Sequence, residues 1–306
     1  MVPLAIAAAA AIAACGGAAP AKKAAAVKTS PAALVSQTFS ASNTINSGRV
    51  ALAVTLTLDG LKQLGGKPVT LDVSGPFQRG PGNDISTDLT ATIQAASTSA
   101  NIGIDKVGKK IYLGIAGTFY ALPASSKARP STGVTGASGI LSALGIDPKT
   151  WLTDPHIVGT ASVGGVATEH LTAQINVANV LNDVSKLVSS ATGATGAGTS
   201  SSTLALVESA ISSAQIDVYT GVADHIVRRF DLAIAFTVPQ IAASALGGLT
   251  GGSLKLDVTL TDLNQPQTIT APANPQPSSK LLNGVFALES QFGSLASLFS
   301  GASTGG

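Results

Sequence analysis

Side chains that could do chemistry are few in this sequence and lie far apart. The three histidines, His156, His170 and His225, fall in separate segments, and none has a second metal-ligating residue one helical turn away. A structural or catalytic metal site normally needs three or four such ligands in one place. The sequence therefore predicts no metal site, and it gives no reason to expect a cofactor.

Two motifs of enzyme active sites, the serine-hydrolase elbow and the P-loop, are each incomplete in this sequence. Serines are abundant, yet no Gly-x-Ser-x-Gly elbow occurs, and no Ser, His and Asp follow one another in a recognisable catalytic order. Residues 103–110 (GIDKVGKK) nearly spell a P-loop, but Lys110 stands where a Ser or Thr must bind Mg²⁺. The same residues have the pattern of a hairpin, so we interpret them as a turn with solvated lysines. Neither motif predicts an enzyme.

Cys15 is the only cysteine, so the chain cannot form an internal disulfide. It follows an apolar segment, residues 4–14, which has the length of a signal-peptide core and is too short to span a bilayer. A lone cysteine among apolar residues is often a small buried hydrophobe. The four residues Ile12-Ala13-Ala14-Cys15 instead resemble the lipobox of bacterial lipoproteins, in which the cysteine becomes the first residue and carries acyl chains.

The lipobox divides the N-terminal region into two parts. Residues 1–14 would be a signal peptide, and residues 15–30 a lipidated cysteine with a flexible tether of small residues. Lys22, Lys23 and Lys28 in the tether could lie against anionic headgroups or simply be solvated. No Lys or Arg precedes the apolar segment, which departs from the usual signal-peptide pattern. The resemblance implies an exported protein, anchored to the outer face of the cell membrane by lipidated Cys15.

The composition is that of a folded and weakly charged protein. Charged residues make up 11% of the chain, and the formal net charge is +2. Low charge with a positive mean hydropathy of +0.38 argues against disorder. No basic stripe with interleaved aromatics suggests a nucleic-acid partner, and no segment has the roughly 18 apolar residues of a membrane-spanning helix. We expect one monomeric domain over residues 31–277, followed by a C-terminal apolar helix and tail over residues 278–306.

The apolar spacing changes from helical to strand-like near residue 45. Ser30 and Pro31 fit the N-cap and first position of a helix that we predict to reach about Thr44. Residues 49–59 (RVALAVTLTLD) then alternate apolar and smaller side chains, as a half-buried strand does. Short strands with tight turns follow through residue 122, which is typical of an antiparallel meander.

The second half of the sequence repeats this pattern with helical insertions. Strands are predicted over residues 156–163, 166–177, 215–219, 226–236, 253–263 and 268–270, and helices over 137–144, 147–152, 178–190 and 204–212. The Gly/Ser/Thr-rich residues 191–203 indicate an exposed loop. These elements predict an α+β domain with a single antiparallel sheet of about ten strands.

Four segments, taken in order, resemble the LppX/LprG group of actinobacterial lipoproteins and, more widely, the LolA-like half-barrels. They are the strand pair in residues 110–123 (KIYLG, GTFYALP), the hairpin in 158–171 (VGT, GVATEHL), the hairpin in 215–230 (QIDVY, IVRRF) and the last strands in 256–272 (ending QPQTITAP). With the lipobox, the resemblance covers most of residues 10–277. The insert at residues 191–203 and the tail beyond Pro277 depart from it.

This resemblance implies a curved half-barrel whose concave face is covered by helices and holds acyl chains. It implies a lipid or glycolipid ligand, transport or presentation of that lipid in the cell envelope, and a membrane transporter as a further partner. The residues alone leave two outcomes open. Complete cover would make the apolar face a plain core, whereas incomplete cover would leave a groove for lipid tails.

The candidates for the lining of such a cavity share one face of the predicted strands or of the helix after residue 178. They are Leu52, Val54, Leu56, Leu58, Leu71, Val73, Leu89, Ile93, Ile102, Ile104, Leu181, Val184, Leu256 and Val258.

Arg228 and Arg229 are candidates for contact with a phosphate or sugar-acid headgroup at the cavity mouth, although charges at a strand edge are commonly just solvated. Two hypotheses from different classes follow. One is a membrane-anchored lipid-binding protein without catalysis, and the other is a structural or interaction lipoprotein with a packed core. An envelope hydrolase would instead need a Ser or carboxylate hydrogen-bonded to one of the histidines.

Overall fold

The chain folds into one large curved sheet of twelve strands that does not close into a barrel. The computed structural model describes residues 29–40, 44–61, 64–81, 84–96, 98–123, 148–180, 209–244 and 247–281. The strands are β1 (Ser47–Asp59), β2 (Val69–Arg79), β3 (Ile85–Ala95), β4 (Thr98–Val107), β5 (Lys110–Ile115), β6 (Thr118–Leu122), β7 (Leu152–Val163), β8 (Val166–Ile175), β9 (Ile211–Gly221), β10 (Val227–Thr237), β11 (Gly251–Thr261) and β12 (Gln276–Pro277).

The sheet consists of two antiparallel meanders joined side by side. Its strand order is β12-β6-β5-β4-β3-β2-β1-β11-β10-β9-β8-β7. Strand β1 pairs with β2 on one side and with β11 on the other, from Arg49 opposite Thr261 to Asp59 opposite Gly251. Only the two-residue β12 runs parallel to its neighbour, β6.

Period-two alternation within each strand and the register between strands place the apolar side chains on one face. A single row of apolar residues crosses ten neighbouring strands: Ile115, Ile102, Ala91, Val73, Leu52, Val258, Phe230, Val218, Leu171 and Ile157. We call this side of the sheet the apolar face and the other side the polar face. Because a shift of one residue would turn every apolar side chain to the other side, this register is strongly specified.

Helix α1 (Pro31–Thr38) packs on the apolar face at one end of the sheet. Its N-cap Ser30 accepts a hydrogen bond from the backbone N–H of Ala33, and Pro31 occupies the first turn. Leu34, which is fully buried, and Phe39, just after the helix, enter the core formed by β8, β9 and β10. In this part of the sheet the core is continuous and well packed.

Two glycines allow an aromatic side chain to lie flat on the polar face. Gly103 in β4 is directly opposite Gly114 in β5, and a Cβ atom at either position would meet the ring of Phe119 at less than 3 Å. The missing side chains therefore form a shallow seat for Phe119. Such pairing of an aromatic ring with glycines in neighbouring strands stabilises positions at which glycine alone would weaken a strand.

The structure corrects several expectations about the elements. The sheet has twelve strands, not about ten, and α1 ends at Thr38, not near Thr44. Residues 211 and 212, predicted in a helix, begin β9, and residue 152 begins β7 after a short 3₁₀ turn over Pro148–Thr150. Residues 268–270 form no strand, and the last strand is β12. Residues 239–252 were predicted to be a loop or a mobile flap, but they contain the short helix Gln240–Ala243.

Other predicted elements lie wholly or largely outside the described residues. These are the helix over 137–144, the loop over 191–203 and most of the helices over 178–190, 204–212 and 278–299. Residues 177–180, at the start of one of them, are helical. Within the part of the chain that the structure describes, no helix has the length and apolar character needed to cross a membrane.

Candidate functional site

The apolar side chains predicted from the sequence as a cavity lining lie together on the apolar face. Leu52 and Val54 of β1 are directly opposite Val73 and Leu71 of β2, and opposite Val258 and Leu256 of β11. The alternation of each strand and the cross-strand pairs place the other described candidates on the same side: Leu56, Leu58, Leu89, Ile93, Ile102 and Ile104. The candidates Leu181 and Val184 lie outside the described residues, as does Cys15.

The two ends of the apolar face differ in how deeply their side chains are buried. Under α1, the exposed fraction is 2% for both Leu171 and Val218 and 0% for Ile216. In contrast, Leu52, Leu56 and their neighbours on β1, β2 and β11 are only half-buried, and 39% of Ile104 on β4 is exposed. The apolar face thus consists of a sealed part over β8–β10 and a half-open part that is centred on β1, β2 and β11 and reaches Ile104 on β4. On β3–β5 the half-open part borders buried residues, which include Ala91, Ala100 and Ile115.

The sealed part has no room for a ligand. The void between α1 and the sheet, lined by Val35, Phe39 and Leu171 among others, does not admit even a water molecule. Beside it the hydroxyls of Thr38 and Thr220 form a buried hydrogen bond of 2.9 Å. Any bound apolar molecule must therefore lie on the half-open part.

A pocket of about 320 Å³ lies at the end of β11, where the half-open face meets the β7–β8 turn. Leu260, Leu263 and Val166 contribute apolar walls, and Arg228 contributes a guanidinium. Leu260 is also part of the apolar face, because it lies opposite Val50 of β1. The pocket is therefore continuous with the apolar face. A shallower depression of about 420 Å³ lies elsewhere, between the end of β8 and the start of β9.

Arg228 is buried at the wall of this pocket. Only 9% of its side chain is exposed, and its Nη2 donates to Oδ2 of Asp224 at 2.5 Å. Its Nη1 donates to the backbone carbonyl of Ile226 at 3.4 Å. The register of β9 and β10 is irregular between Val227 and Arg229, so Arg228 occupies a bulge in the strand. The bulge is what turns this arginine out of the regular alternation.

Arg229, the other predicted headgroup residue, lies on the polar face, away from this pocket's lining. Its Nε donates to Oδ1 of Asp231 at 2.9 Å, and its Nη2 pairs with Oδ2 of Asp257 at 2.5 Å. These carboxylates raise the pKa of Arg229, and its guanidinium lies 5.7 Å from the ring centre of Tyr219. Burial raises the pKa of Asp231 to about 6, in spite of the opposing hydrogen bond from Arg229. We therefore retain only Arg228 for the pocket.

His170 has the carboxylate partner that an envelope hydrolase would need. Its Nε2 lies 2.8 Å from Oδ1 of Asp217, and its ring stacks on Tyr219 with ring centres 4.3 Å apart. Among the hydrogen bonds of the described residues, however, none joins His170 to a hydroxyl that could act as a nucleophile. The pair also lies on the polar face, and no group of three metal-ligating side chains occurs within the described part of the chain. We interpret the pair as part of a cross-strand polar cluster.

Asp105 is a second buried acid on the polar face. It is 4% exposed, and its Oδ1 has no hydrogen-bond partner among the described residues. Burial and, to a smaller extent, the carboxylate of Asp88 directly opposite on β3 together raise the pKa of Asp105 to about 6. This environment was not predicted from the sequence, because the alternation of β4 puts Asp105 on the side away from the apolar face.

The pocket at Arg228 was also not anticipated as a whole. Its walls come from the β7–β8 turn, from β10 and from the residues after β11, which are distant in sequence. The one available signal was the pair Arg228-Arg229 in an otherwise weakly charged strand. From the sequence alone, the arginine that lies in a bulge cannot be distinguished from the regularly alternating arginine next to it.

Comparisons with known proteins find similar folds but no similar sequences. No protein-family model matches the chain, and no curated protein matches it. LprF from Mycobacterium bovis matches with a TM-score of 0.42 and 15% identity, over 80% of this chain and 97% of LprF. The lipoprotein LppX of Mycobacterium tuberculosis matches with a TM-score of 0.39 and 19% identity, over 79% of this chain and 100% of LppX.

A third match is the MucA/MucB complex of Pseudomonas aeruginosa, with a TM-score of 0.30 and 10% identity, over 80% of this chain and 59% of the matched chain. LppX is a lipoprotein of the group that the sequence motifs resemble. All of these TM-scores are below 0.5.

Proposed function

We propose that this protein binds the acyl chains of a lipid on the half-open part of its apolar face. The observation that supports the proposal is the contrast along one continuous apolar face. Beneath α1 the side chains are sealed, whereas on β1, β2 and β11 the same kind of side chains stay half-buried. Half-open aliphatic surface of this extent on a folded protein commonly marks a binding site.

The energetics suit a long hydrocarbon chain. Each buried CH₂ group contributes roughly 0.8 kcal/mol, so that even a partly buried acyl chain gains several kcal/mol. The face offers aliphatic side chains and few aromatic ones, with Leu52, Leu56 and Leu256 at its centre. Such a lining has no fixed polar group that would demand one headgroup, and chains of different length can bind to it.

The predicted lipobox would hold this binding face close to a membrane. Acylated Cys15 would hold the domain at the outer face of the cell membrane through a short tether, from which lipid could be received or passed on. Transport or presentation of lipid or glycolipid, with a membrane transporter as partner, fits this placement. The proposal includes no catalysis, because among the described residues no nucleophilic hydroxyl is hydrogen-bonded to His170 of the His170–Asp217 pair.

A structural lipoprotein with a packed core is the second candidate. The observation in its favour is the sealed core under α1, which shows that this sheet can cover its apolar side chains. The two candidates differ in whether the half-open part takes up lipid. Native mass spectrometry of the protein purified from a lipid-containing host decides between them: co-purified lipid supports binding, and its absence together with no uptake of a fatty-acid probe refutes it.

A matched pair of variants locates the binding face. Ile104→Gln adds a polar group to the half-open face at a side chain that is 39% exposed. We expect it to weaken binding of a fluorescent fatty acid by roughly five- to thirtyfold, because an amide then contacts the acyl chain. Ile241→Gln makes the same chemical change at a side chain that is 92% exposed in the short helix Gln240–Ala243, and it should leave binding unchanged. Equal effects of both variants would contradict this location.

A further inference from the structure

We infer that the Arg228 pocket holds the headgroup of the bound lipid and that this headgroup is uncharged and rich in hydroxyls. The inference rests on the proposed function, because the pocket opens onto the same apolar face. It departs from the phosphate or sugar acid that the paired arginines suggest in the sequence.

The charge of Arg228 is already balanced. Its guanidinium pairs with the carboxylate of Asp224, and because only 9% of the arginine side chain is exposed, the guanidinium itself is poorly solvated. A phosphate entering the pocket would have to compete with Asp224 for the same N–H groups. Buried arginines that are paired in this way act as hydrogen-bond donors within a neutral pair.

A second carboxylate makes the pocket unfavourable for anions. Asp262, just after β11, also lines the pocket, and Arg228, the one cation among the described lining residues, is already paired with Asp224. Arg228, Asp224 and Asp262 together carry a net charge of −1. A phosphate or carboxylate headgroup would therefore be repelled, whereas an uncharged headgroup would not be.

The remaining polar groups fit hydroxyls. A guanidinium has five N–H donors, and the contacts to Asp224 and Ile226 use two of those on Arg228. Thr261 and Gln265 line the same pocket and can both donate and accept hydrogen bonds. A volume of about 320 Å³ corresponds to roughly ten water-sized groups, which is enough for a glycerol unit or a single sugar ring.

The geometry also gives the direction of the acyl chain. Leu260 lines the pocket and lies opposite Val50 on the apolar face, and the alternate residues Val258 and Leu256 continue this face along β11. A lipid whose headgroup occupies the pocket would thus extend its chain along β1 and β11. No charged side chain of these two strands lies on that path, because Lys255 and Asp257 point to the polar face.

Three amphiphiles with the same dodecyl chain test the inference. Dodecyl glucoside, dodecyl phosphate and dodecyl trimethylammonium are each used, below their micelle concentrations, to displace the neutral fluorophore N-phenyl-1-naphthylamine from the full-length protein. We expect the glucoside to displace it at about tenfold lower concentration than the phosphate. Equal potency of glucoside and phosphate, or stronger displacement by the phosphate or by the cation, would overturn the inference.

A variant that changes only the pocket charge separates headgroup contact from general charge effects. Asp262→Asn removes a carboxylate from an exposed turn residue and should improve displacement by dodecyl phosphate about fivefold, with the glucoside unchanged. Asp59→Asn, at the opposite end of β1, changes the net charge equally and should alter neither. The same response in both variants would refute a headgroup in this pocket.

The two proposals fail differently. If the fluorophore does not bind, or no amphiphile displaces it, the lipid-binding function is wrong and the headgroup inference falls with it. If all three amphiphiles displace it equally well and Asp262→Asn has no effect, the protein binds acyl chains and only the inference about the headgroup is refuted.

Discussion

Asp105 is the residue whose surroundings differ most from what its side chain prefers. It lies in the middle of the sheet, almost fully buried and opposite another carboxylate, with one oxygen lacking a hydrogen bond among the described residues. A carboxyl group in such a place resists ionisation, and its pKa rises to about 6 from a usual value of 3.8. The folded state therefore binds this proton more tightly than the unfolded state does.

This shift makes stability depend on pH in a defined direction. Between pH 3.8 and about 6 the folded protein keeps a proton that the unfolded chain has lost, so the free energy of unfolding falls as the pH rises through this window. Asp105→Asn removes the titration and should raise the free energy of unfolding at pH 7.5 by about 1–2 kcal/mol. The gain should shrink toward zero near pH 4, as measured by urea denaturation at both pH values.

Asp72→Asn is the control for this prediction. Asp72 is exposed on the polar face of β2, so its substitution should change stability little at either pH. A gain for Asp105→Asn that stayed the same at pH 4 and pH 7.5 would show that the carboxyl is not the source of the effect.

At the scale of elements, α1 decides which part of the apolar face is closed. Its one fully buried side chain, Leu34, belongs to the core formed with β8, β9 and β10, and the Thr38–Thr220 hydrogen bond fixes the end of the helix. The helix is only two turns long, and a helix of that length is unstable in isolation. Its stability must therefore come from packing on the sheet.

Leu34→Ala should consequently destabilise the whole domain. The exposed fraction of Leu34 is 0%, and truncation of such a leucine costs about 2–5 kcal/mol, depending on how far the cavity collapses. The urea midpoint should fall with an unchanged m-value. Ser36→Ala, at an exposed position of the same helix, should change the free energy of unfolding by less than about 0.5 kcal/mol. If Leu34→Ala were as mild as Ser36→Ala, the helix would not be part of the core.

The elements also show what the sequence could predict and what it could not. Strands with strict alternation, such as β1 and β11, were predicted within two residues at each end, because period two is a local signal. The end of α1 and the start of β9 were not predicted correctly, because these boundaries depend on tertiary packing. Arg228 and Arg229 are adjacent in sequence, yet they lie in different environments because Arg228 is in a bulge. No local sequence pattern predicts this bulge.

At the scale of the whole molecule, the composition and the alternating strands predicted a single sheet with one apolar face. They could not predict the order of strands, because the β1–β11 pairing depends on residues about 200 positions apart. The candidate lining was predictable for the same reason as the strands: twelve of its fourteen residues lie in the described part of the chain, and all of these share the apolar face. The pocket at Arg228 combines distant segments and was not predictable.

Cys15→Ser tests the predicted place of the molecule in the cell. Loss of the thiol prevents acylation, so the variant should move from the membrane fraction to the soluble fraction after export. The fold should be unaffected, since the residues of the described core begin at Leu34. Circular dichroism serves as the control. A Cys15→Ser protein that stayed membrane-bound would contradict lipidation at this residue.

The pairing of β1 with β11 has a consequence for the order in which this protein folds. Each meander can pair its own strands as they are synthesised, because its neighbouring strands follow one another in sequence. Strand β1, however, keeps one unpaired edge until β11 has been synthesised, and it exposes leucines on one side and unpaired backbone groups along this edge. The nascent N-terminal meander should therefore be prone to aggregation, and we expect a holding chaperone to be needed until β1 and β11 have paired.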